Sequence, residues 1–279
     1  MNRKEALLLE LLESEDPSLR EIYLANFSVD RPSTPLLARV VSLAHRDSHQ
    51  RVRIAAVRTL ARFWPEPSVV ETFTYVLLSA DPDEASAAVK AMIDLEDDRA
   101  IKLLCDTYRA RNDFRTKGAV LQVLDRRPFA SVREFMLTVP VRDYDEFLRA
   151  MAVTAISKKN DPSVVPTIKD RLSDPDARVR ANATEGLARF HNLLPRELFV
   201  NLLKDPNHRV QTAALKILHR LGWEGIDEHV DRMTRSSIGL FRESAAYFLR
   251  EIQNYASHST STTNSFERAI PSYSGASVQ

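Results

Sequence analysis

One nine-residue pattern, returning about every 31 residues, constrains this chain more than any other feature. Its clearest copies occupy residues 52–60, 179–187 and 210–218, and weaker ones start at Leu19, Glu84, Phe114, Leu148 and Phe241. Such a period is too short for a domain and suits a helical hairpin, which cannot bury its own apolar stripe and must stack on its neighbours. Eight starts predict an all-α fold, an α-solenoid of about eight two-helix repeats in one continuous stack over residues 1–256. Six glycines against fourteen prolines, with no clean apolar–polar alternation, agree with helices joined by Pro-marked turns.

The fifth pattern position reads Tyr23, Ala56, Ala88, Gly118, Ala152, Ala183, Ala214 and Ala245. A small side chain there lets a neighbouring helix approach closely, so this column is the inward face. Asp16-Pro17, Asp81-Pro82, Asp174-Pro175 and Asp205-Pro206 each read as an N-capping carboxylate before a proline at the first helical position. From Ser257 the helical period is lost amid Ser, Thr, Asn and Gly, which predicts a disordered Ser/Thr-rich tail over 257–279.

The segments Asp174-Pro175-Asp176-Ala177-Arg178-Val179-Arg180 and Asp205-Pro206-Asn207-His208-Arg209-Val210, each followed by the Ala and Leu positions, resemble the HEAT-repeat family in the short bacterial form also seen in phycobilin-lyase-like proteins. The resemblance covers residues 3–253. It implies a superhelical stack whose second helices line a concave partner-binding face, and it implies little about activity, because the fold hosts adaptors, scaffolds and unrelated enzymes.

Two columns run along the second helices. An arginine recurs at the second pattern position, as Arg20, Arg53, Arg115, Arg149, Arg180 and Arg242, with Ala85 and Gln211 as exceptions. Since Asp16, Asp47, Asp143, Asp174 and Asp205 recur in step, the reading is an intramolecular ladder of charge-assisted bonds. The seventh position and the residue four beyond it should face the groove. There basic residues outnumber acidic ones, and Arg58, Arg62, Lys90, Lys158, Arg189, Lys216, Arg220 and Tyr247 form the candidate partner-binding set.

Lys and Arg total 39 against 38 for Asp and Glu, so there is no bulk attraction to nucleic acid or an anionic membrane. The expected partner is a protein with an acidic segment, held by a non-catalytic cytoplasmic scaffold or adaptor. Nucleic acid on the same basic residues is the alternative, and lyase or DNA-glycosylase activity a remoter one. No cofactor or metal is expected: there is no His-Glu dipeptide, of the kind through which one HEAT-like enzyme class binds two irons, and His191, His208 and His219 lack ligand spacing. No signal peptide or membrane-spanning run is apparent. The single Cys105, in an apolar helical stretch, reads as a packing residue.

Overall fold

A computed structural model describes residues 3–267, with side chains for all of these except residue 79 and residues 254–267. Among the described residues there are sixteen α-helices and no strand. They pair in chain order as α1 (Arg3–Leu11) with α2 (Pro17–Ala25), α3 (Thr34–Arg46) with α4 (Gln50–Leu60), α5 (Pro67–Ser79) with α6 (Pro82–Ala91), and α7 (Asp98–Ala110) with α8 (Phe114–Asp125). The remaining pairs are α9 (Phe129–Thr138) with α10 (Glu146–Ser157), α11 (Val165–Asp170) with α12 (Ala177–Leu187), α13 (Arg196–Leu202) with α14 (His208–Arg220), and α15 (Ile226–Thr234) with α16 (Gly239–Glu267). The fold is the α-solenoid that the repeat predicts.

The chain forms two compact units, residues 1–167 and 168–279, with the boundary inside α11. In the first unit the even-numbered helices α2 to α10 pack in sequence along one layer and the odd-numbered α1 to α9 along another. In the second, α12, α14 and α16 pack in the same manner, with α13 on α14 and α15 on α16.

Helix starts fix the register. The residue preceding each second helix is Asp16, His49, Asp81, Asp113, Asp145, Asp176, Asn207 and Ile238. Seven residues on from these lie Tyr23, Ala56, Ala88, Val120, Ala152, Ala183, Ala214 and Ala245, successively 33, 32, 32, 32, 31, 31 and 31 apart. Every member after Tyr23 is fully buried. Repeat four is therefore aligned by Val120 and not by Gly118, a small residue two positions earlier on the same helix.

Caps explain the starts, with one revision. The Asp16 and Asp81 carboxylates accept from the amides of Ser18 and Asp83, each at 2.8 Å, with Pro17 and Pro82 opening the helix. Asp174 and Asp205 are not caps. Each sits two residues upstream, where it accepts from the amide of Asp176 or Asn207, and these residues do the capping. Pro175 and Pro206 thus lie in the turn, outside the helix. Gly222, with φ +65°, ends α14: its amide reaches the His219 carbonyl while the Trp223 amide reaches Leu218, the double bond of a left-handed C-terminal stop.

The last helix continues past Ser257 to Glu267, where the sequence predicts the period to end. Ser and Thr cost a helix only a few tenths of a kcal/mol each, roughly, and no Gly or Pro intervenes between Leu240 and Ile270. The rest of the expected tail, residues 268–279, lies outside the described residues. Cys105 is buried, and burial pushes its thiol up to about 11, so it carries almost no thiolate at neutral pH.

Candidate partner-binding groove

The ladder must be separated from the groove before either can be assigned a role. Arg20 donates from Nε and Nη2 to the Asp47 carboxylate, at 2.8 and 3.0 Å, and from Nη1 to the Ser14 and Glu15 carbonyls. Arg180 repeats this on Asp205, at 2.8 and 3.0 Å, and on the carbonyls of Asp174 and Pro175. Arg53 reaches Glu84 of α6 instead, with Nη1 on the Asp47 carbonyl. Each guanidinium thus ties the turn of its own repeat to the next.

In repeat four the rung is Lys117, whose ammonium lies 2.8 Å from Asp143. Arg115, two residues earlier, instead pairs with Asp83. Burial pushes the Asp143 carboxyl up, but the Lys117 ammonium, the Asp145 amide and the Tyr108 hydroxyl outweigh it and hold it below the usual carboxylate range. Ala85 offers no cation, and there Arg111 of the following turn reaches back to the Ala80 carbonyl at 2.9 Å. The cation persists while its stem arrives from the opposite direction.

A second set of bonds, unanticipated from the sequence, runs along the far ends of the second helices in the first unit. Arg62 donates to the Phe27 carbonyl, Arg127 to Met92 and Lys159 to Asp125, partners separated by 35, 35 and 34 residues. Each cation meets the carbonyl end of the preceding second helix, where the helix dipole favours positive charge. Basic residues just beyond these helices were its only sequence signal.

The candidate groove residues now divide. Arg58 and Arg62 line an open cavity of about 520 Å³ between α2 and α4, with Arg51, Glu21, Leu24, Phe27, Ile54 and Ala55. Arg62 is already engaged, by the Phe27 carbonyl and by Asp30 at 3.0 Å. Arg51 and Arg58 make no hydrogen bond or ion pair among the described residues. Lys90, likewise unpaired, lines a smaller cavity of about 320 Å³ with Phe114, Arg115 and Met151. Phe114 is half exposed and meets the Phe147 ring edge-on at 6.2 Å, an aromatic step the sequence columns did not single out. Lys158 lies 4.0 Å from Asp125. None of these four cations is brought into one cluster with all the others.

In the second unit Lys216 and Arg220 line a cavity of about 250 Å³ with His219, Phe248, Glu251 and Ile252. Lys216 is held by Glu251 at 2.7 Å and lies over the Tyr247 ring, 4.5 Å from its centroid. Burial pulls its ammonium down, and Glu251 and Tyr247 outweigh that and hold it above the ordinary lysine range. Arg189 is exposed on the turn after α12 and already has interaction partners. Among the described residues, no group of three or more His, Cys, Asp or Glu is placed to hold a metal, and no helix is long and apolar enough to cross a membrane. His191 contacts the Ala188 carbonyl, His208 the Ser244 hydroxyl and His219 the Phe248 ring.

The model of HEAT repeats matches residues 37–125, 134–218 and 171–250. The chain belongs to the HEAT-repeat family. No curated protein matches its sequence. Among solved structures, Kap121p bound to Nup53p is similar over 88% of this chain and 37% of that one, at 14% identity and a TM-score of 0.51. Kap121p bound to Ste12p gives 87%, 36%, 13% and 0.51. This HEAT-repeat chain therefore spans little more than a third of Kap121p. The complex of CpcE and CpcF of phycocyanin lyase from Nostoc sp. covers 83% of this chain and 94% of that one, at 15% identity and a TM-score of 0.42. At these identities the likeness is one of fold alone.

Proposed function

We propose that this HEAT-repeat protein is a non-catalytic scaffold or adaptor that holds a protein segment of acidic character along the groove lined by its second helices. The observation that carries this reading is the pair of unpaired arginines, Arg51 and Arg58, set over an apolar floor on the groove face. Both guanidinium groups are exposed and make no bond within the fold, so their charge and donors are available to an incoming carboxylate. The Kap121p complexes support the use of such a stack for protein partners, since those structures contain bound proteins. The experiment is affinity capture with the tagged chain against a variant carrying Arg58→Glu, Lys90→Glu and Arg220→Glu. The triple variant should lose the proteins that the native chain retains; equal recovery of the same proteins rejects the groove.

A further inference from the structure

Within that scaffold reading, we infer that the cavity between α2 and α4 is the anchor point, and that it takes an extended peptide bearing two acidic side chains on either side of an apolar one. Arg51, Ile54 and Arg58 stand three and then four residues apart, so they form one stripe along α4. Seven residues of helix rise by about 10 Å, which an extended peptide crosses in about three residues. Side chains of an extended peptide alternate in direction, so acids four residues apart keep both carboxylates and the side chain midway on the α4 side, where the two guanidinium forks flank Ile54. Glu21 is the one acidic residue lining this cavity, and Arg62 is already paired with Asp30 outside it, which leaves Arg51 and Arg58 for a ligand.

The floor favours a peptide over a nucleic-acid backbone. A phosphate chain would satisfy the arginines but leave the apolar floor unfilled, and the one ring there, Phe27, is only 6% exposed and offers no stacking face. At about 520 Å³ the cavity has room for a short run of chain, not merely an ion.

The test is selection of random peptides of about twelve residues, displayed on phage, against the full chain, followed by fluorescence anisotropy of the most enriched peptide. Enriched peptides should carry two Asp or Glu four residues apart with Leu, Ile, Met or Phe midway between them. Arg51→Glu with Arg58→Glu should weaken binding by about tenfold or more, since two charge-assisted contacts are lost. The peptide with its acids changed to Lys should bind that variant and not the native chain. Both arginines are exposed and unpaired, so the fold should survive; if its melting profile shows otherwise, Arg51→Gln with Arg58→Gln replaces it, with the same loss expected. Enriched peptides lacking acids, or an affinity that changes less than about twofold in the double variant, overturn the anchor. So does displacement of the peptide by a single-stranded oligothymidine at equal concentration. A peptide that binds elsewhere leaves the scaffold reading standing, whereas the absence of any enriched peptide removes both.

Discussion

The two ends of the repeat array present the same register columns to solvent and use them in opposite ways. Between α2 and α4, Arg51 and Arg58 stand unpaired above an apolar floor. Between α14 and α16, Lys216 occupies the column of Arg58 but is covered by Glu251 and Tyr247 of the next helix. A column therefore locates a side chain without saying whether it is available. What decides availability is contact with the next second helix: Tyr247 and Glu251, 31 and 35 positions on, engage Lys216, whereas Lys90 and Asp94, 32 and 36 positions on from Arg58, make no hydrogen bond or ion pair with it.

The comparison assumes that both grooves rest on the same framework, and breaking the ladder should have the largest effect in either unit. In Arg180→Ala the Asp205 carboxylate, 8% exposed, loses both of its guanidinium bonds. In Arg53→Ala the same happens to Glu84, 9% exposed. Each should cost about 3 kcal/mol, the scale for stranding one partner of a buried pair. Urea unfolding followed by circular dichroism measures it. A loss under about 1 kcal/mol in one unit alone would show that the units are not built alike.

Next in size is the register of repeat four, on which the position of Lys90 and Phe114 in the groove depends. Val120→Ala should cost about 2 kcal/mol, the transfer and cavity terms for two methyl groups at a fully buried site. Gly118→Ala should be neutral or stabilising by up to about 1 kcal/mol. Its added Cβ would meet only Met151 Cε, at 3.9 Å, and alanine is the better helix former. The reverse ranking in thermal melts would restore Gly118 to the inward column.

This repeat also shows what the sequence could and could not disclose. The hairpins, their number and the inward alanines were legible because burial enforces one residue size at one spacing. Repeat four hides its register in the sequence because Val120 fills the same slot with a larger side chain, and Lys117 replaces arginine as the rung. Asp174 and Asp205 look like caps because Asp-Pro is a strong local start, yet the true caps, Asp176 and Asn207, follow two residues later. Lys216 and Arg62 could not be set apart from Arg58 in sequence, because their engagement depends on contacts 31 and 35 residues away.

Acid should weaken the first unit through two partly buried carboxylates. Asp47 and Asp143 lie there, and in both burial raises the carboxyl while several contacts together outweigh it, Arg20 and the His49 amide for Asp47, Lys117, the Asp145 amide and the Tyr108 hydroxyl for Asp143. Their folded pKa values fall below the unfolded ones. The stability they contribute is therefore complete above about pH 4 and is lost as the pH falls through that range toward their folded values. Asp143→Asn should lower stability at neutral pH and make the acid limb below about pH 4 shallower, read by circular dichroism. An unchanged acid limb would place the titrating carboxylates elsewhere.

The smallest expected change in stability comes from Glu251→Gln, and it tests the comparison most directly. The Lys216–Glu251 pair is about one-third exposed, so losing it should cost under about 1 kcal/mol. The substitution nevertheless removes the opposing charge and leaves Lys216 with neutral partners alone, the Tyr247 ring and hydroxyl and an amide oxygen, beside Arg220 and the apolar wall of Phe248 and Ile252. The second-unit cavity then acquires the makeup of the first, two uncompensated cations over an apolar floor. If pairing alone makes it silent, Glu251→Gln should gain weak binding of the acidic–apolar peptide that survives Arg51→Glu with Arg58→Glu. If no second site appears in anisotropy, availability of charge is insufficient, and the fork geometry of two arginines flanking Ile54 is what distinguishes the first groove.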